Sequence, residues 1–209
     1  MRSLSGRPAV ALAATALILL TGACTGDSEP EAEPSASGSP TESATPAQES
    51  VPFKVKVTRV LGKLPVADRP ALEANVRRTL TEYVDAAFLG GDYPRSDFSG
   101  AFTAFTSGAA RDARGDLTML TNLPLGPTTE SVRATRRTAY LSVLAPYDVA
   151  AGVTARVDLV FRVERADRPP QRVRLAGRLL LTRDEKAGWT IFGYDVHRSG
   201  APAPARSGS

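Results

Sequence analysis

Two runs in the second half of the chain alternate apolar and polar residues, and they constrain the fold more than any other feature. In VTARVDLVFRVER (153–165), Val153, Ala155, Val157, Leu159, Phe161 and Val163 alternate with polar residues, interrupted only by Val160. In QRVRLAGRLLLTR (171–183), Val173, Leu175, Leu179 and Leu181 alternate with Arg172, Arg174 and Arg178. Successive side chains of a strand point to opposite faces, so each run predicts a long strand with one face on a core and one in water. ADRPPQ (166–171) predicts the turn between them. A hairpin with Val163 opposite Val173, Phe161 opposite Leu175 and Val157 opposite Leu179 matches apolar to apolar. The same register sets Glu164 against Arg172 and Asp158 against Arg178, with Arg162 facing Arg174 as the one like-charged pair. WTIFGYDVH (189–197), after the DEKAG turn, predicts a further strand with Phe192, Tyr194 and Val196 on one side. RRTAYLSVLAPYDV (136–149) predicts another ahead of the pair, and FKVKVTRVL (53–61) has the same alternation.

The helical period dominates between residues 68 and 120. Leu72, Val76, Leu80, Val84 and Phe88 recur every four residues, the spacing of one helix face. Asp68 stands at the capping position, Pro70 suits the first turn, and Gly90 and Gly91 end the helix. Phe98, Phe102 and Phe105 fit a short second helix. Thr106 caps a third, whose inward residues are Ala110, Ala113, Leu117 and Leu120. TNLPLGPTTE (121–130) predicts a loop. Helices followed by long antiparallel strands imply an α+β domain over residues 51–198. N-terminal helices would cover one face of a curved antiparallel sheet of about four strands, leaving the other face solvated.

The N-terminus predicts export. Arg2 and Arg7 precede the apolar run AVALAATALILL (9–20), which is too short to span a bilayer, and small residues lead to Cys24. TGAC (21–24) resembles the lipobox of bacterial lipoproteins, although Thr21 occupies the position usually held by leucine. The resemblance implies a signal peptide over 1–23, acylation of Cys24 and an extracytoplasmic domain anchored to the cell membrane. An ordinary cleaved signal is the alternative. Residues 25–50 hold no large apolar side chain and read as a disordered tether, and residues 199–209 as a disordered tail. The tether carries six acids and no base, whereas residues 51–209 carry 24 bases and 16 acids. Such a domain could meet anionic lipid or wall polymer. The arginines are nevertheless spread along the sequence, as expected of an ordinary solvated surface. Export and the lack of basic clusters with stacking aromatics argue against nucleic acid.

Helices first, a strand meander and the ending WTIFGY (189–194) resemble the cone-shaped fold of nuclear transport factor 2-like and cystatin-like domains. More narrowly, GGDYPRSDF (90–98), AFTAFTSGAA (101–110) and TMLTN (118–122) look like segments of uncharacterised actinobacterial lipoproteins. The latter resemblance implies no known activity. The cone fold implies a space between sheet and helices, which Tyr83, Tyr140 and Tyr194 could line. Asp85 lies beside the apolar helix stripe, and Asp158 and Asp195 fall on the solvated face, so no acid is evident there.

His197 is the chain's one histidine and Cys24 its one cysteine, which leaves no ligand set for zinc, no Cys–His nucleophile and no CxxC pair. Neither GxSxG nor a nucleotide-binding motif is present. The expectation is therefore a non-enzymatic binding or assembly module of the cell envelope, without cofactor or metal, whose partner is an envelope protein or wall component. The alternative is a ligand carrier or an isomerase- or hydratase-like enzyme using the internal space. Within LGGDYPRSDF (89–98), the corner with Asp92, Tyr93 and Arg95 is the candidate partner-binding site.

Overall fold

The computed structural model describes residues 51–184 and 188–202. The expected signal peptide, Cys24 and tether, and the tail beyond residue 202, lie outside the described residues. The domain is α+β, with a five-stranded mixed sheet rather than one of about four antiparallel strands. The strands are β1 (Lys54–Gly62), β2 (Ser131–Ala145), β3 (Gly152–Arg165), β4 (Arg168–Asp184) and β5 (Gly188–Pro202), in spatial order β1-β2-β3-β4-β5. β2 to β5 form the expected antiparallel meander, but β1 pairs parallel to β2. A parallel neighbour needs a long crossover, and the helical segment between β1 and β2 supplies it.

The helix α1 (Arg69–Val84) runs into a π-helical turn over Asp85–Leu89. Leu72, Val76, Leu80, Val84 and Phe88 are all buried, as their spacing predicts. Asp68 holds the N-terminal cap position, but its side chain makes no capping hydrogen bond, because a 3-10 turn over Val66–Asp68 leads into the helix. Phe98, Phe102 and Phe105 are buried around a 3-10 turn (Ser99–Phe102) instead of an α-helix. Helix α2 (Ser107–Ala113) begins at Thr106, whose hydroxyl accepts from Ala109 N–H as expected, and the single turn α3 (Leu117–Leu120) follows.

These helices cover one face of the sheet. Tyr83, Phe88, Phe102 and Phe105 pack against Phe161, Leu159, Leu175 and Leu179, and Phe88 stacks on Phe161 with centroids 4.8 Å apart. On β1, Val57 N–H donates to the Glu73 carboxylate of α1 at 2.8 Å, and a bulge follows. At the opposite edge Phe105 bridges to Ile191.

The β3–β4 register differs from the expected one by two residues. Phe161 lies opposite Val173, Leu159 opposite Leu175, and Val157 opposite Gly177. The cause is the turn, which is only Ala166–Asp167 with a bulge beside it, not the six residues of ADRPPQ. A two-residue slip leaves every side chain on its expected face, so the core is unchanged while the charge partners are not. Gly177 has φ +142°, and a Cβ there would lie 2.3 Å from the Asp195 carbonyl oxygen. Only glycine lets β4 approach β5 so closely. On β5, a bulge at Phe192 leaves that residue half-exposed, apart from the inward Ile191, Tyr194 and Val196. Residues 199–202, expected in the tail, continue β5 because β4 extends to offer them main-chain partners.

Candidate functional site: the open face of the sheet

Among the described residues no element covers the face away from the helices, and the register assembles on it what the sequence holds apart. Cross-strand partners define rows about 7 Å apart along the strands, two residues at the rise of a strand. One row holds Arg133, Arg162 and Arg172 on three neighbouring strands. The next holds Arg136, Val160 and Arg174, followed by Lys54, Thr138, Asp158, Ala176 and His197. The fourth reads Lys56, Tyr140, Arg156, Arg178 and Asp195. With Glu164 at the margin, these rows set nine Lys and Arg side chains against three carboxylates, a surplus of six positive charges. Like charges directly opposite one another on adjacent strands disfavour the fold. Arg133, Arg162 and Arg172 are such a set, with only Glu164 bonded to Arg162 between them.

Asp158 occupies the middle. It accepts from Arg136 at 2.8 Å and from Arg174 at 2.7 Å, in place of the expected Arg178. Burial pushes its carboxyl up, but the hydrogen bonds and charges of Arg174 and Arg136 outweigh this and hold it below the ordinary carboxylate range. Arg178 instead bonds Asp195 directly across on β5 at 2.7 Å. Arg156 lies over the Tyr140 ring, 5.7 Å from its centroid. Between these groups the face dips into a hollow of about 700 Å³, floored by Ala176 and Gly177 and ringed by Arg136, Arg156, Arg174 and Arg178 with Asp158 and Asp195 among them.

The opposite end of the same face is apolar. Leu61 on β1 and Leu144 on β2 are register partners, and both are about half exposed. The connection from β2 to β3 carries Val149, half exposed in a groove beside Leu72 and Asn75 of α1, and Tyr147, which is 96% exposed at φ 57°. A bulky residue with positive φ is strained backbone, here holding an aromatic ring in solvent.

The corner at Asp92, Tyr93 and Arg95 is built from within. Arg95 donates to the carbonyls of Gly90 (2.6 Å), Ala86 (2.8 Å) and Asp97 (2.7 Å), and its guanidinium lies 4.2 Å from the Phe98 ring centroid. It thereby caps the end of the π-helical turn, which Gly90 and Gly91 leave with free carbonyls. Its donors therefore serve the backbone, not Asp92, the partner its sequence position suggests. Tyr93 donates to Phe88 O at 2.7 Å and accepts from the Asn122 amide at 3.3 Å. Asp92 is the exposed member of the three.

Tyr83, Tyr140 and Tyr194 do not meet around one space. Tyr83 is fully buried, donates to Leu120 O at 2.8 Å, and has its pKa pushed well up by burial. Tyr140 stands on the open face, with the sheet between it and the other two. Tyr194 faces the helices and donates to the Asp116 carboxylate at 2.8 Å. Partial desolvation and that bond push its hydroxyl up to about 12. Asp116 is exposed, so the acid nearest Tyr194 is a solvated one.

Sequence reasoning did not single out Arg137 or Arg198. Arg137 is 5% exposed on the helix side of β2, where it bonds Asp85 at 3.2 Å and lies over Phe53. Arg198 holds the end of α3 through the carbonyls of Thr118 and Thr121. Both sit at apolar positions of the strand alternation, and that breach of the pattern was the available signal. Among the described residues no group of His, Cys, Asp and Glu is placed to hold a metal ion, and no helix is long and apolar enough to cross a membrane. The chain matches no family model, no curated protein and no solved structure.

Proposed function

We propose that this chain is an extracytoplasmic lipoprotein, held to the cell membrane through Cys24, whose α+β domain is a non-enzymatic binding module working through its open sheet face. The observation that carries the reading is the surplus of six positive charges gathered on a face that no element covers among the described residues. A row of three facing arginines costs the isolated domain stability, and an anionic partner offsets that cost. Large single-sign fields of this kind act in association, not in holding a fold. Helices on one face of a sequential meander also support a variant of the nuclear transport factor 2-like cone. The strand ahead of the long helix departs from that helix-first order. The enzyme and carrier reading gains no support from the three tyrosines, which do not share a cavity.

The test is recovery of envelope material on the anchored protein, compared between the wild type and an Arg133→Glu/Arg172→Glu variant of equal thermal stability. The reading expects material bound by the wild type to be lost from the variant. Equal recovery by both would remove the open face from the function.

A further inference from the structure

We infer that the partner of the open face is an anionic lipid surface, onto which the domain docks flat against the sheet. The inference rests on the reading of this face as the working surface and adds what it binds. Two observations converge on lipid. The first is cationic: Arg133, Arg162, Arg172, Arg136, Arg174 and Arg178 outnumber their carboxylate partners Glu164, Asp158 and Asp195 by three, and guanidinium forks match phosphate oxygens bidentately. The second is apolar: Leu61 and Leu144, register partners, are exposed at the other end of the same face. Exposed aliphatic side chains beside a cationic field are the combination that enters the boundary between headgroups and acyl chains.

A soluble polyanion would satisfy the arginines and leave the apolar end in water. A folded protein partner would bury a field of like charges near the centre of its interface, where charged residues are ordinarily depleted. An extended acidic peptide gains its main-chain hydrogen bonds at a strand edge, and this surface is the middle of a sheet. Lipid answers both ends of the face at once. Leu61 and Leu144 dip below the headgroups while the arginine rows lie along the phosphates.

The experiment uses the mature chain from residue 24 with Cys24→Ser, so that no acyl chain contributes. Its binding to phosphatidylglycerol vesicles and to phosphatidylcholine vesicles is measured by co-sedimentation. The expected result is binding to phosphatidylglycerol only, weakened by raised salt. One cation near an anionic surface contributes about 1 kcal/mol, roughly fivefold in affinity. The Arg133→Gln/Arg172→Gln variant is therefore expected to bind about 25-fold more weakly, and Leu61→Ser/Leu144→Ser also to weaken binding at low salt. Arg77→Gln/Arg78→Gln, on the exposed side of α1, removes the same charge and is expected to leave binding unchanged.

Tighter binding to soluble poly(glycerol phosphate) than to vesicles, insensitive to the leucine changes, would overturn lipid as the partner. An equal loss in the α1 variant would reduce the effect to net charge and overturn the inference too. If vesicles fail to bind while the envelope material of the preceding test is still lost on charge reversal, lipid falls and the open-face reading stands. If neither depends on Arg133 and Arg172, both fall.

Discussion

Gly177 shows how one residue shapes the open face. Its positive φ and the 2.3 Å approach a Cβ would make to Asp195 O mean that Gly177→Ala must push β4 and β5 apart. We expect the substitution to cost about 2–3 kcal/mol, from backbone incompatibility and overpacking together, read as a lower midpoint of denaturant unfolding. Asp158 governs the charge balance of the same face. Its carboxyl titrates below the ordinary range, so it stabilises the fold above the unfolded-state value near 4, and that contribution is lost as pH falls through the folded value. Asp85 is shifted the other way, raised chiefly by burial with Arg137 opposing, so its contribution fades as pH rises. Comparing Asp158→Asn with wild type across pH 2–6 separates the two, since both chains keep Asp85. The variant is expected to be less stable near pH 6 and to show a shallower loss toward acid, measured by thermal unfolding at each pH.

Among the elements, the corner at residues 89–98 is where sequence position and structural role diverge. Proline, glycines and acids mark it correctly as a break between helices, but nothing local shows that the Arg95 fork holds three carbonyls of the same corner. We expect Arg95→Lys to destabilise by about 2 kcal/mol, nearly as much as Arg95→Ala, because an ammonium cannot reach three divergent carbonyls at once; chemical denaturation of the two variants checks this. Strand and helix existence was legible because periods of two and of about four residues report which face is buried. Register was not, because a two-residue slip preserves that pattern, and the choice fell to the bulge beside Ala166–Asp167. The parallel pairing of β1 with β2 was illegible for a related reason. Alternation marks a half-buried strand without naming its neighbour. The arginines of the open face are spread in sequence; only cross-strand pairing collects Arg133, Arg162 and Arg172 into one row.

At the scale of the whole molecule, the domain has one face covered by helices and one cationic face that no described element covers, and the proposed anchor at Cys24 lies outside the described residues. That anchor carries its own prediction. Cys24→Ala is expected to shift the protein from the membrane fraction toward the soluble one, and the fractions are compared by quantitative blotting in high salt, which screens the contribution of the open face. Use of the open face is checked most directly by chemical labelling of arginines on the protein in its native envelope and again after detergent release. Arg133, Arg172 and Arg178 are expected to be protected in the envelope and to become reactive on release, while Arg77, Arg78 and Arg111 on the helices react equally in both. Equal reactivity of the open-face arginines in the two states, or protection confined to the helical side, would contradict use of that face.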